Sequence, residues 1–457
     1  MNASDIQAII QRQRDYFATG ATKSVPHRLE MLRRLEEAIR QREDDINAAL
    51  KADLNKPPME SYMTETGMVL SEIAYLRKHT AAWAKPTRVP TPMAQFPASS
   101  FILKEPYGVA LIMSPWNYPV QLTLEPLAGA VAAGNCAVVK PSAYAPKTSR
   151  VLAELIAAVF PPEYVTVIEG GRAENSALLE EQFDYIFFTG SVSVGRMVME
   201  KAAKHLTPVS LELGGKSPVL IDETANIPLA ARRVAFGKCL NAGQTCVAPD
   251  YVLIHRSVKD AFLTEYRKAV ASFFPGGDYS DMPVIVNDKH FQRVMGLLEG
   301  QTVALGGMAD PQRRFIPPTV LDEVSWDAPV MQEEIFGPIL PVLTYTDLEE
   351  AMAAIARRPK PLALYLFTSS GAVERKVLGG LSFGGGCVND TIIHLATSHM
   401  GFGGVGQSGM GSYHGKRSFN TFIHEKSIVK KSTLLDLPMR YRPYTKKRER
   451  MVRMFLK

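Results

Sequence analysis

The sequence predicts an α/β fold assembled from two alternating units, and three observations carry that expectation. First, apolar β-rich runs between residues 107 and 213 (Gly108–Met113, Ala137–Val139, Tyr164–Ile168, Tyr185–Phe188 and Val209–Leu213) alternate with helical patterns. The helical patterns cover Leu122–Ala133, Thr148–Val159, Asn175–Glu181 and Val192–His205. Strand–helix–strand alternation of this kind gives a mostly parallel sheet covered on both faces. Second, residues 214–410 start a further alternating stretch with its own strands and helices. Third, 457 residues are too many for one core, so two or three domains are expected.

Residues 1–84 read as helices, with Leu29, Leu32, Leu35 and Ile39 at helical spacing and charges between them. Proline-rich text from Pro86 to Pro97 interrupts them. Ser99–Lys104 then reads as a strand, split from the next by Glu105-Pro106-Tyr107. Glycine-rich loops cluster at Gly384–Gly386 and Gly401–Gly411, ahead of a strand-like run over Thr421–Val429. No internal repeat interrupts this order.

Composition narrows the function classes. A hydrophobic content of 46% with 21% charged residues is that of an ordinary soluble globular chain. The formal charge is +6, yet residues 440–457 alone hold eight Lys or Arg and one Glu, leaving the rest of the chain near −1. A body-wide nucleic-acid footprint is therefore not expected. The tail's basic residues, with Met451, Met454 and Phe455 on one helical side, fit either a weak contact with an anionic membrane surface or a solvated terminus. Cys136, Cys239, Cys246 and Cys387 form no CxxC pair, which points to a reducing, cytoplasmic setting. No apolar run reaches the roughly 18 residues of a spanning helix. The nine histidines show no zinc-site spacing, so no metal is expected.

Six stretches carry residues suited to chemistry, each with a plainer structural alternative. In Asn241-Ala242-Gly243-Gln244-Thr245-Cys246, a small-residue loop can present a thiol to a cleft, where its thiolate is a strong nucleophile. The alternative is a small buried hydrophobe. In Leu211-Glu212-Leu213-Gly214-Gly215-Lys216, a carboxylate among apolar neighbours should have the raised pKa of a general base. The alternative is a strand-edge glutamate paired with Lys216. In Ser114-Pro115-Trp116-Asn117-Tyr118-Pro119, Asn117 offers an amide donor to a developing oxyanion, or is a turn asparagine. Gly190 and Gly195, around Ser191 at a strand-to-helix turn, let backbone approach a pyrophosphate, although this is not the GxGxxG fingerprint. Lys140 ends a strand, where it can meet a ribose or simply be solvated. In Gln332-Glu333-Glu334-Ile335-Phe336-Gly337, a carboxylate can hold a ribose, or the segment is a solvated acidic turn.

In order and spacing, the six stretches together resemble the aldehyde dehydrogenase superfamily over residues 1 to 435. Further motifs resemble its class 3 branch, which includes fatty aldehyde dehydrogenases: Ala203-Lys204-His205-Leu206-Thr207-Pro208-Val209, Cys246-Val247-Ala248-Pro249-Asp250-Tyr251, and Gly409-Met410-Gly411-Ser412-Tyr413-His414-Gly415-Lys416. The resemblance implies roles. Cys246 attacks the aldehyde, Asn117 and the Cys246 backbone N–H hold the oxyanion, and Glu212 activates the hydrolytic water. Gly190, Ser191, Gly195, Lys140, Glu334, Phe336 and Trp116 hold the cofactor. Tyr118, Phe236 and Thr245 line the aldehyde tunnel, for substrates that are medium- to long-chain aliphatic or aromatic.

The implied architecture is an aldehyde dehydrogenase fold. A Rossmann-like NAD(P)-binding domain comprises residues 1–84 and 107–213, and a catalytic domain residues 214–410. Residues 85–106 and 411–435 form a β bridging and oligomerisation element, and 436–457 the basic tail. A homodimer follows from the class 3 resemblance. Ala143 stands where relatives often carry a glutamate against the adenosine 2′-hydroxyl, so both NAD and NADP are expected as cofactors. Two alternatives are a CoA-acylating dehydrogenase, which commonly lacks the Glu212 base, and a non-catalytic binding protein on the same scaffold.

Overall fold

The computed structural model describes residues 3–456; Met1, Asn2 and Lys457, at the outer limits of the N-terminal and tail segments, lie outside it. Its strands form three sheets. The first runs in the order Gly409–Met410, Val209–Leu213, Tyr185–Gly190, Val109–Met113, Cys136–Lys140, Val165–Val167. All neighbours are parallel except the two-residue Gly409–Met410 strand, which returns antiparallel and sets Gly409 opposite Glu212. Parallel strands with helices on both faces are buried on both sides, so they read as continuous apolar runs rather than as alternations. Val109–Met113 and Cys136–Lys140 are buried at every position.

The helix Gln121–Ala133 is also buried throughout, which its small residues permit. It ends at Gly134, whose φ of 98° caps the last turn in a conformation that costs glycine little. The Arg28 guanidinium closes the same end, donating to Ala132 O at 3.3 Å and to Thr22 O at 2.7 Å. Arg28 belongs to the helix Val25–Gln41, so the N-terminal helices expected over 1–84 are fastened to this sheet.

The second sheet has seven strands: Thr302–Leu305, Thr319–Asp322, Ile339–Tyr345, Tyr251–His255, Pro218–Ile221, Ala363–Phe367 and Gly385–Val388. Only the first pair is antiparallel. The third sheet is antiparallel, with Ala98–Pro106 between Thr87–Val89 and Ile423–Lys431. It is mostly solvated, and Ile423–Lys431 keeps one free edge. The basic tail forms the helix Lys446–Phe455, with Met451 and Met454 exposed. No helix among the described residues is long and apolar enough to cross a membrane.

Candidate active site

The two alternating units meet at the loop that carries Cys246. The helix Ile227–Cys239 ends there, and Asn241, Ala242 and Gly243 follow with φ of 49°, 53° and 69°. Three successive left-handed residues cost stability, about 1–2 kcal/mol for Ala242 alone. The loop persists because its polar atoms are taken. Asn241 N–H donates to Glu60 Oε1 at 2.7 Å, and Asn241 Nδ2 donates to Asn117 O at 2.8 Å and to Gln244 O at 3.1 Å. Gln244 Nε2 donates to Val284 O, and Gln244 Oε1 accepts from Val286 N–H. Gly243 lies so close to the carbonyl of Gly337 that any β-carbon would collide with it.

The same loop holds Asn117. Its Nδ2 donates to Gln244 O at 3.0 Å, leaving a second N–H of the amide for another acceptor. Its carbonyl accepts from Lys56 Nζ at 3.1 Å as well as from Asn241. Lys56 forms a fully buried ion pair with Glu65 at 2.5 Å and lies 4.3 Å from the centre of the Tyr118 ring. Glu65 Oε2 accepts from Val120 N–H at 2.7 Å, and Tyr118 OH meets Thr245 Oγ1 at 2.6 Å. One buried network thus ties the asparagine, the tyrosine and the cysteine loop together.

Glu212 sits inside the first sheet, 3% exposed, and neither carboxylate oxygen has a partner. Burial pushes its pKa well above the usual carboxylate range. Pairing with Lys216, the plainer alternative, does not occur. The Lys216 ammonium bonds Asp250 and donates to Val330 O and Glu333 O, both at 2.8 Å. Burial, reinforced by the carboxyls of Glu334 and Glu212, also raises the Cys246 thiol, while the backbone N–H groups of Cys246 and Val247 oppose that shift.

Two cavities converge on the sulfur, and both are lined by Cys246 and Leu122. One is a cleft of about 1050 Å³ at the end of the first sheet. Trp116, Asn117, Gly190, Ser191, Glu212, Glu334 and Phe336 all line it. Ser191 caps the helix Val192–Ala203, accepting from Val194 N–H. A β-carbon on Gly190 would lie 2.5 Å from the Phe188 ring, and one on Gly195, which does not line the cleft, 2.5 Å from the Leu213 side chain, so a larger residue at either place would displace the side chain behind it. A β-carbon on Gly214 would strike the Glu334 carboxylate. Glu334 is not a solvated turn residue: Oε1 is enclosed without a partner, and burial, with Asp250 nearby, raises its pKa to about 8. Phe336, at φ 50°, sets its ring 5.4 Å from Trp116, edge to face.

Lys140 departs from this group. It is 2% exposed and absent from the cleft lining. Its ammonium donates to Pro141 O and Gly170 O, both at 2.7 Å, and burial lowers its pKa to about 8.

The other cavity, about 750 Å³, is an apolar tunnel. Tyr118, Phe236 and Thr245 line it. So do Ile392, Leu395 and Phe402, which sequence reading did not single out, and Tyr413 and His414, which it quoted only within a family motif and without a role. The first four carry apolar or aromatic bulk with no local signature of a binding role. Lys56, Glu65 and Asn241 were missed for a related reason, since a buried ion pair and an amide bridge exist only once the chain has folded.

Comparison with known proteins bears on this geometry. A profile of the Aldehyde dehydrogenase family matches residues 1–428. A 4,4'-diaponeurosporen-aldehyde dehydrogenase of Staphylococcus aureus is 50% identical over 434 residues, 94% of each chain. A dimeric NADP-preferring aldehyde dehydrogenase of Canis lupus familiaris is 44% identical over 446 residues, 96% of this chain and 98% of its own. Among solved structures, the substrate-bound state of Staphylococcus aureus AldH matches with a TM-score of 0.97 at 48% identity, over 99% of each chain. An indole-3-acetaldehyde dehydrogenase in complex with NAD+ matches with a TM-score of 0.86 at 26% identity, over 94% of this chain and 90% of its own. With a family profile matching residues 1–428 and identity of this extent over nearly its whole length, the chain belongs to the aldehyde dehydrogenase family, a family of oxidoreductases.

Proposed function

We propose that this chain oxidises apolar aldehydes to carboxylic acids through a thioester on Cys246, with NAD or NADP as hydride acceptor. The observation that carries the reading is the position of Cys246 where an apolar tunnel meets a polar, glycine-walled cleft. The aldehyde enters by the tunnel, between Phe236 and Tyr118. The thiol adds to the carbonyl carbon: an S–C bond forms, the sulfur's proton passes to Glu212, and the oxygen becomes an oxyanion. The free N–H of Asn117 and the Cys246 backbone N–H stabilise that oxygen.

The cleft fits a dinucleotide. Gly190 and the capped helix start suit a pyrophosphate, with Gly195 letting that helix pack close on Leu213, the enclosed Glu334 oxygen suits a ribose hydroxyl, and Phe336 with Trp116 suits a flat ring. A dinucleotide held there would supply the hydride acceptor, and loss of hydride from the tetrahedral carbon would leave a thioester on Cys246. Lys140, held by two carbonyls, would have to release them to reach a ribose. Glu212, after passing the thiol proton to solvent, takes another from a water. The hydroxide so formed attacks the thioester, the C–S bond breaks, and the acid leaves as the thiolate is regenerated.

Exposed Ala143 places no negative charge against a 2′-phosphate, and exposed Lys147 stands nearby in sequence, which supports use of both cofactors. Glu212, enclosed and unpartnered, disfavours transfer to CoA over hydrolysis. The free edge of the third sheet supports a homodimer.

The test is an aldehyde panel with NAD and with NADP, following reduced nicotinamide and acid in the absence of CoA. Turnover should be lost in Cys246→Ser. A strict requirement for CoA, or a Cys246→Ser protein of undiminished rate, would sink the reading.

A further inference from the structure

We propose that an apolar groove outside the tunnel, between Met59 and the Phe273-Phe274 pair, holds the distal hydrocarbon of long aldehyde substrates. The inference rests on the aldehyde reading above and adds to it a place for the part of a chain that the tunnel cannot hold.

The groove opens about 650 Å³ and borders the tunnel, with Met63, Phe236 and Leu240 lining both. Its remaining walls include Met59, from the short helix Pro58–Ser61, the Phe273 and Phe274 side chains where the helix Lys259–Phe273 ends, and Met282. Methionine suits a surface that must take chains of differing shape, since its thioether is flexible and polarisable. Two carboxylates reach the groove, and both are engaged elsewhere. Glu60 Oε1 accepts from Asn241 N–H at 2.7 Å, and Asp281 pairs with Lys51 at 3.4 Å.

Met59 is 75% exposed, Met63 41% and Phe236 37%, a strip of apolar surface that ends at the tunnel mouth. A strip of this kind marks a binding site more often than chance. Its occupant follows from the shared wall. A chain in the tunnel with its carbonyl at Cys246, if it is long enough, has an apolar path past Phe236 and over Met59.

Each methylene taken out of water should tighten binding about fourfold. The experiment measures KM for straight-chain aldehydes of rising length on the full chain, in wild type, Met59→Asp and Phe274→Ser. Binding of carboxylates of the same lengths is followed by calorimetry. Met59 is exposed enough for its substitution to leave folding intact.

In wild type KM should keep falling for chains longer than the tunnel. In both variants the fall should stop there, leaving the longest aldehydes and carboxylates at least tenfold weaker while short aldehydes keep their kcat/KM. Identical length ladders in all three proteins would overturn the groove, and so would an equal loss for short and long chains. Failure of the aldehyde reading looks different: no aldehyde of any length is oxidised, while the carboxylate ladder still separates wild type from the variants.

Discussion

Glu212, the base proposed above, is a buried carboxyl with two bare oxygens, and its environment sets the pH at which it can act. Burial raises its pKa well above the ordinary carboxylate value of about 4.3. A general base acts as the carboxylate, so the raised pKa moves the acid limb of the rate profile upward: turnover falls as pH drops through the shifted value and rises above it. Glu212→Gln keeps the shape and loses the base. Steady-state turnover should fall about 10²- to 10⁴-fold. A single burst of reduced nicotinamide, up to one equivalent per Cys246, should survive if solvent takes the thiol proton at high pH. Rapid-mixing kinetics across pH checks both. A variant that hydrolyses its thioester at the original rate, with the same acid limb, would remove Glu212 from the role.

Elements, more than residues, decided what the sequence could disclose. Val209–Leu213 and the helix Val192–Ala203 were legible because strand–helix alternation is local and periodic. Cys246, Asn117 and Gly190, which one cleft brings together, each lie in a motif whose neighbours shape its own loop. Lys56 was not legible. It stands in the link between the helices Glu43–Leu54 and Pro58–Ser61, and its partners, Glu65 and the Asn117 carbonyl, are set by packing between elements. Lys140 shows the converse: a lysine in a recognisable position whose ammonium is occupied by nearby carbonyls.

The Lys56 connection has a measurable consequence. Lys56→Met should cost about 3–5 kcal/mol, because Glu65 loses its buried cation and keeps only the Val120 and Gln121 N–H groups. It should also lower kcat, because the Asn117 carbonyl loses a donor and the amide loses its fixed aim. Adding Glu65→Gln removes the stranded charge, so denaturant unfolding should recover much of the stability while kcat stays low. Recovery of both together would mean that Lys56 serves folding alone.

At the scale of the whole molecule, the third sheet has no core of its own. Ile423–Lys431 pairs with Ala98–Pro106 over nine residues on one side and leaves its other edge open. Val89, Phe96 and Val429 are exposed on or beside this sheet. A long open edge with apolar neighbours invites aggregation unless something covers it, and a second copy related by a two-fold axis would cover both edges at once. Val429 lies on the free-edge strand, far in sequence from the cysteine loop. Val429→Glu should therefore place two like charges near each other across the two-fold and shift the light-scattering mass from two chains to one. Thermal unfolding should then depend less on protein concentration, because dimer formation no longer contributes to stability. A wild-type mass of one chain, or a dimer unaffected by the charge, would assign the open edge to some other contact.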